Sequence, residues 1–118
     1  MKAAVLKDIE RIVVEDVPSR EPAAGEVKLR VRACAVCGSD VRIFHFGNPR
    51  VKPPAIIGHE VAAEVIAVGD GVDEFRVGQR VALGADVPCG KCDWCQNGLG
   101  NNCAENYAIG YQFDGGFA

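Results

Sequence analysis

The chain has 118 residues, and its 13 lysines and arginines against 16 aspartates and glutamates leave a formal charge of −3. That balance excludes a generally basic protein that coats nucleic acid, and 48% hydrophobic with 25% charged residues excludes intrinsic disorder and supplies material for one core. The longest apolar run, Ala33 to Cys37, falls far short of the roughly 20 residues of a membrane-spanning helix, and charges at Lys7, Asp8 and Glu10 interrupt any signal-peptide core, so an intracellular, cytoplasmic chain without membrane contact is expected.

In chain order, residues 2–6 and 11–17 predict two strands rich in valine and alanine. A third follows the punctuation Pro22-Ala-Ala-Gly25: over residues 26–36, Val27, Leu29, Val31 and Ala33 alternate with Lys28, Arg30 and Arg32, the period of a half-buried strand. The basic stripe on that strand reads as a solvated face. Asp40 to Phe46 predicts a helix of about two turns, capped by Ser39 or Asp40 and stopped by Gly47-Asn48-Pro49. Beyond Pro53-Pro54, residues 60–68 and 79–83 predict further strands. The fold class is therefore mainly β, a barrel with one short helix. Residues 86–106 form a Gly-, Asn- and Cys-rich loop with little strand or helix character, and a loop of that length needs an internal staple.

The six cysteines suggest what that staple is. In a reducing compartment, cysteines two residues apart bind metals or do redox chemistry more often than they form structural bridges. Cys89, Cys92, Cys95 and Cys103 follow the spacing C-x2-C-x2-C-x7-C. Four soft thiolates favour tetrahedral zinc, and four protein ligands leave no open position, so the zinc would be structural. An iron–sulfur cluster is the chief competitor, but its usual cysteine spacings differ from this one.

A second set of donors comes from two places: Cys37-Gly-Ser-Asp40 and Gly58-His-Glu60. Thiolate, imidazole and carboxylate are the ligand types of catalytic zinc. Each short motif has an ordinary structural reading, with Ser39 or Asp40 as a helix cap and a buried cysteine as a small hydrophobe. Cys34-Ala-Val-Cys37 is also a formal redox pair, without the βαβ setting such pairs normally have. His45 reads as a surface or cleft-wall residue.

Taken in order, Cys37-Gly-Ser-Asp40, Gly58-His-Glu60, Val68-Gly-Asp-Gly-Val72, Phe75-Arg-Val-Gly-Gln-Arg-Val81 and the four-cysteine loop resemble the zinc-dependent medium-chain dehydrogenase/reductase family over essentially the whole chain. The resemblance implies a GroES-like, partly open β-barrel spanning residues 1–118, with a zinc-stapled lobe at 86–106. It implies two zincs. Cys37, His59 and Glu60 match the catalytic-zinc ligands, and Cys89, Cys92, Cys95 and Cys103 match the structural ones. Ser39 matches the hydroxyl residue that passes the substrate proton towards solvent, and Asp40 the carboxylate that orients the imidazole of His59. The implied activity is oxidation of a small-molecule alcohol or polyol by zinc-assisted hydride transfer to NAD or NADP, with homo-oligomers common among relatives.

The chain departs from the full family pattern in three ways. The remaining catalytic-zinc ligand lies downstream of Ala118. No G-x-G-x-x-G occurs, so the Rossmann cofactor domain is absent from this stretch. Arg42 and Gln79 stand where the family often has histidine and aspartate. The expectation is an amino-terminal catalytic fragment, inactive alone. A stand-alone zinc-stabilised β domain with a binding or scaffold role is the alternative.

Overall fold

A computed structural model describes residues 1–118. Strands β1 (Lys2–Asp8) and β2 (Arg11–Asp16) form an antiparallel hairpin, and β4 (Ala55–Ile56) joins the other edge of β1. A second sheet runs in the order β3 (Val27–Ala35), β5 (Glu60–Val68) and β6 (Arg80–Ala82). Between β3 and β4 lies helix α1 (Gly38–Phe46). The two three-stranded sheets do not close on one another, the partly open form expected. No helix is long and apolar enough to cross a membrane.

Strand β1 is buried on both faces because its two faces meet different clusters. Ala3 and Val5 pack with Ile56, while Leu6 packs with Ile43, Val51 and Ile57. The second cluster matters most for the site. It joins α1, through Ile43, to the segment that runs through Ile57 into His59, and Leu6, Ile43 and Ile57 are each at most 2% exposed. Removing three such side chains from water stabilises the fold by roughly 1.5–3 kcal/mol apiece.

The sequence reading needs correction at several points. Helix α1 starts two residues before the predicted Asp40, and neither Ser39 nor Asp40 is its cap. Cys37 holds the N-cap position, and Asp40 sits one turn on with its carboxylate reaching back to accept the Cys37 N–H at 2.9 Å. In β3 the alternation slips at a bulge between Val31 and Ala33, so Ala33 faces solvent and Cys34 turns inward. The stapled loop has more regular structure than expected. It contains β7 (Asp86–Val87), paired with β8 (Tyr107–Ala108), as well as a one-turn helix α2 (Asp93–Gln96) and a 3-10 turn at Gly100–Asn102. Strands of two residues carry no readable period, which is why β4, β7 and β8 escape prediction.

Candidate metal centres

The four loop cysteines converge through local turns. Cys92 begins α2, Cys95 lies within it, and Cys103 ends the 3-10 turn, buried at 8% exposure. Their sulfurs stand 3.5 Å apart for Cys92–Cys95, 3.9 Å for Cys92–Cys103 and 4.0 Å for Cys89–Cys95. A disulfide would need about 2.05 Å, and all six cysteines are free. A tetrahedron of sulfurs about 2.3 Å from a central zinc has edges of about 3.8 Å. The donor spacing thus matches one four-sulfur ion and no covalent bridge.

The loop also prepares its thiols unequally. Backbone N–H groups of Cys95 and Ala104 draw the Cys92 thiol down to about 6, and those of Lys91 and Cys92 lower Cys89 below the ordinary thiol value. Loss of solvent, followed by the sulfur contact with Cys92, pushes Cys95 up to about 12. Backbone amides aimed at sulfur stabilise thiolate, the form a metal binds.

The second centre is assembled from α1 and the start of β5. The ligand atoms of Cys37, His59 and Glu60 all lie within 4.8 Å of one another. Cys37 is brought there by the capped start of α1, and His59 and Glu60 by the segment leading into β5. The imidazole is held from both sides. Ser39 Oγ stands 3.3 Å from His59 Nε2, while Asp40 Oδ1 faces His59 Nδ1 at 3.4 Å. That last separation is too long for a well-formed hydrogen bond, and both atoms are buried without another partner. Facing a carboxylate, Nδ1 carries the ring hydrogen, which leaves the lone pair on Nε2, the nitrogen that meets Ser39 Oγ. A soft thiolate, an imidazole and an exposed carboxylate in one cluster can hold a divalent cation and leave part of its coordination sphere open.

Backbone packing fixes His59 from behind. Gly116 N–H donates to the Gly58 carbonyl at 2.8 Å and Phe117 N–H to that of Ile57 at 3.1 Å. Gly58 has φ +93, and a Cβ there would meet the Phe117 ring at 2.6 Å. Only glycine permits that approach.

The remaining candidates go elsewhere. Burial raises the Cys34 thiol, the opposite of what a redox-active cysteine needs. His45 pairs with Glu10 at 2.8 Å on the surface. Gln79 accepts from the Arg76 N–H at 3.4 Å within its turn. Two neighbours of the site have no motif around them: the Tyr111 ring lies 5.8 Å from that of His59, and the Arg50 guanidinium lies 5.1 Å from the centre of the Tyr111 ring. No spacing pattern links positions 50, 59 and 111, so only the fold reveals them.

Comparison with known proteins agrees with this architecture. Residues 23–118 match the alcohol dehydrogenase GroES-like domain. The chain is 43% identical over 107 residues to the starvation-sensing protein RspB of Escherichia coli K12, and 42% identical over 108 residues to sorbitol dehydrogenase of Bacillus subtilis 168. Those alignments cover 91% and 89% of this chain but 31% of each relative, so the chain spans about a third of the length of the curated relatives it matches. Among solved structures, a short chain alcohol dehydrogenase (rspB) from Escherichia coli CFT073, complexed with cofactor NADH, superposes with a TM-score of 0.90 at 38% identity, covering 99% of this chain and 34% of that one. The two cysteine-bearing motifs, the open pair of sheets and the extent of these matches place the chain in the zinc-dependent medium-chain dehydrogenase/reductase family, as its GroES-like catalytic domain.

Proposed function

We propose that residues 1–118 form the GroES-like catalytic portion of an NAD(P)-dependent alcohol or polyol dehydrogenase, with a structural zinc in the 86–106 lobe and a catalytic zinc at Cys37, His59 and Glu60. The Rossmann domain and one further zinc ligand would lie outside this stretch, and without them these residues would not turn over substrate. The observation that carries the proposal is the convergence of three unlike donors within 4.8 Å from separate chain segments, with Ser39 against the imidazole. Zinc bound there supplies Lewis acidity that lets a substrate hydroxyl lose its proton near neutral pH, while the nicotinamide accepts the hydride.

The chain's own residues divide the remaining work. Asp40 holds the imidazole in one orientation, and its burial at 2% exposure keeps water from competing for Nδ1. Ser39 Oγ, beside the donor cluster, takes up the substrate hydroxyl proton and passes it towards solvent. Glu60, exposed at the rim, can engage or release the cation as its surroundings change. The four loop sulfurs bind their ion with no open position and contribute folding energy only.

Metal analysis and kinetics on the full-length protein test this. Wild type should hold two zincs per chain and oxidise polyols with NAD or NADP. Cys37→Ser should retain the lobe zinc, lose the other and lose turnover. Full activity in that variant would overturn the assignment and favour a scaffold role for the stapled domain.

A further inference from the structure

We infer that Arg50, Lys52 and Tyr111 form a subsite for an anionic group at the far end of the substrate, so that the substrate is an acidic polyol, a sugar acid or a sugar-alcohol phosphate, and not a neutral alcohol. This rests on the dehydrogenase reading and specifies its substrate. A cavity of about 320 Å³ has Arg50, Lys52, Tyr111, Gln112 and Asp114 on its walls; Cys37, His59 and Glu60 do not line it, and Tyr111 is the link between the two. Tyr111 belongs to both places, since its ring also packs against His59.

The charge on these walls is unbalanced and in part held in place. Neither Arg50 nor Lys52 has a carboxylate within 4.0 Å, so two cations face this cavity without a partner on the chain. Asp114, the one carboxylate on the wall, pairs with neither. Arg50 is anchored without being neutralised: one nitrogen, Nη2, donates to the Asn106 carbonyl at 3.1 Å and to Gln112 Oε1 at 3.3 Å, and the cation lies over the Tyr111 ring. Its other nitrogens remain as donors. A guanidinium fixed in this way is pre-organised for two-pronged recognition of a carboxylate or phosphate.

Distance selects where on the substrate the anion sits. Arg50 lies 5.1 Å from the Tyr111 ring centre, which lies a further 5.8 Å from that of His59. The guanidinium is therefore at most about 11 Å from the imidazole centre, a span to be compared with about 1.5 Å per carbon–carbon bond. An anion several carbons away, at the other end of a chain of about five or six carbons, would reach it. The subsite therefore favours anionic over neutral polyols.

The test uses sorbitol, gluconate and sorbitol 6-phosphate, which share one six-carbon skeleton and differ in charge at one end, on the full-length protein. Titration calorimetry without nicotinamide should show at least one of the two anions binding tenfold or more tighter than sorbitol. Arg50→Ala should reduce that ratio at least tenfold, Lys52→Ala should reduce it less, and Arg50→Lys, which keeps the charge but not the fork, should restore part of it. Gluconate ahead of the phosphate would identify a carboxylate subsite, and the reverse order a phosphate subsite. Equal binding of all three probes, or a ratio that Arg50→Ala leaves unchanged, would overturn the inference. Calorimetry needs no turnover: failure to oxidise any alcohol would sink the dehydrogenase reading, while the binding ratios would still decide the subsite.

Discussion

Asp40 serves two groups with its two oxygens. Oδ2 accepts the Cys37 N–H at 2.9 Å and so fixes the start of α1, while Oδ1 faces His59 Nδ1. Asp40→Ala leaves both without an acceptor in a dry setting and should cost about 1–3 kcal/mol in chemical denaturation. Asp40→Asn keeps the shape and one acceptor, so its stability loss should be smaller, yet metal affinity at Cys37 and His59 should drop about 10–100-fold, because the imidazole loses its carboxylate. Equilibrium dialysis against zinc separates the two effects. Cys92 makes a prediction about pH. Its thiol is held at about 6 in the folded, metal-free loop, below an unfolded thiol at about 8.5. The stability this lends the metal-free lobe is therefore complete above the unfolded value, declines as pH falls and is gone once pH passes about 6. Zinc must displace whatever protons remain, so proton release per zinc bound should rise by about one between pH 7 and pH 5. Calorimetry in buffers of different ionisation enthalpy measures that number directly; a constant count would show that Cys92 is not poised as described.

Helix α1 and the strand segment ending at His59 must keep their relative position for Cys37 and His59 to share an ion. The side chains that hold them together are Ile43 on the helix, 1% exposed, and Ile57 before the histidine, also 1% exposed, with Leu6 and Val51 between. Ile43→Ala should destabilise the domain by about 2–5 kcal/mol and weaken zinc at Cys37 and His59 while sparing the four-sulfur site, an asymmetry that metal analysis after mild chelation would detect. Gly58→Ala attacks the same junction through the backbone, since φ +93 and the Phe117 ring at 2.6 Å both oppose a side chain; strain of that kind costs about 1–3 kcal/mol. Much at this scale is legible from residues alone. Alternation marks β3, richness in valine and alanine marks β1 and β5, and the stop at Gly47 marks the end of α1. The start of α1 is not legible, because cysteine is no usual cap and its role depends on Asp40 bending back. The bulge in β3 is equally hidden: alternation points Ala33 inward, whereas the ladder with β5 puts Cys34 there.

The whole molecule combines two sheets that each bury apolar side chains, Ala3, Val5 and Leu6 on β1 and Val61, Ala63 and Val65 on β5, with a lobe that buries almost none. Within 86–106 the only buried hydrophobic position is Cys103, and Trp94 and Leu99 are 48% and 43% exposed. The lobe's spacing of four cysteines is therefore its core, and for that reason it was readable directly from the sequence. The Cys37–His59 centre was readable only through family resemblance, since nothing in the spacing of two distant motifs requires them to meet; the meeting depends on packing around Ile43 and Ile57. The two centres should then fail separately. Cys92→Ser, followed by chelation, should raise amide hydrogen exchange across 86–106 by a factor of ten or more and leave β1, β3 and β5 protected, because the backbone bonds of those strands do not depend on the lobe. One effect should reach further. Asn106, whose carbonyl anchors Arg50, sits at the end of the lobe beside β8. Loosening the lobe should free the guanidinium and lower the preference for acidic polyols over sorbitol, while zinc at Cys37 and His59 stays bound. Loss of both metals together in Cys92→Ser would contradict this division and make the lobe a part of the catalytic core.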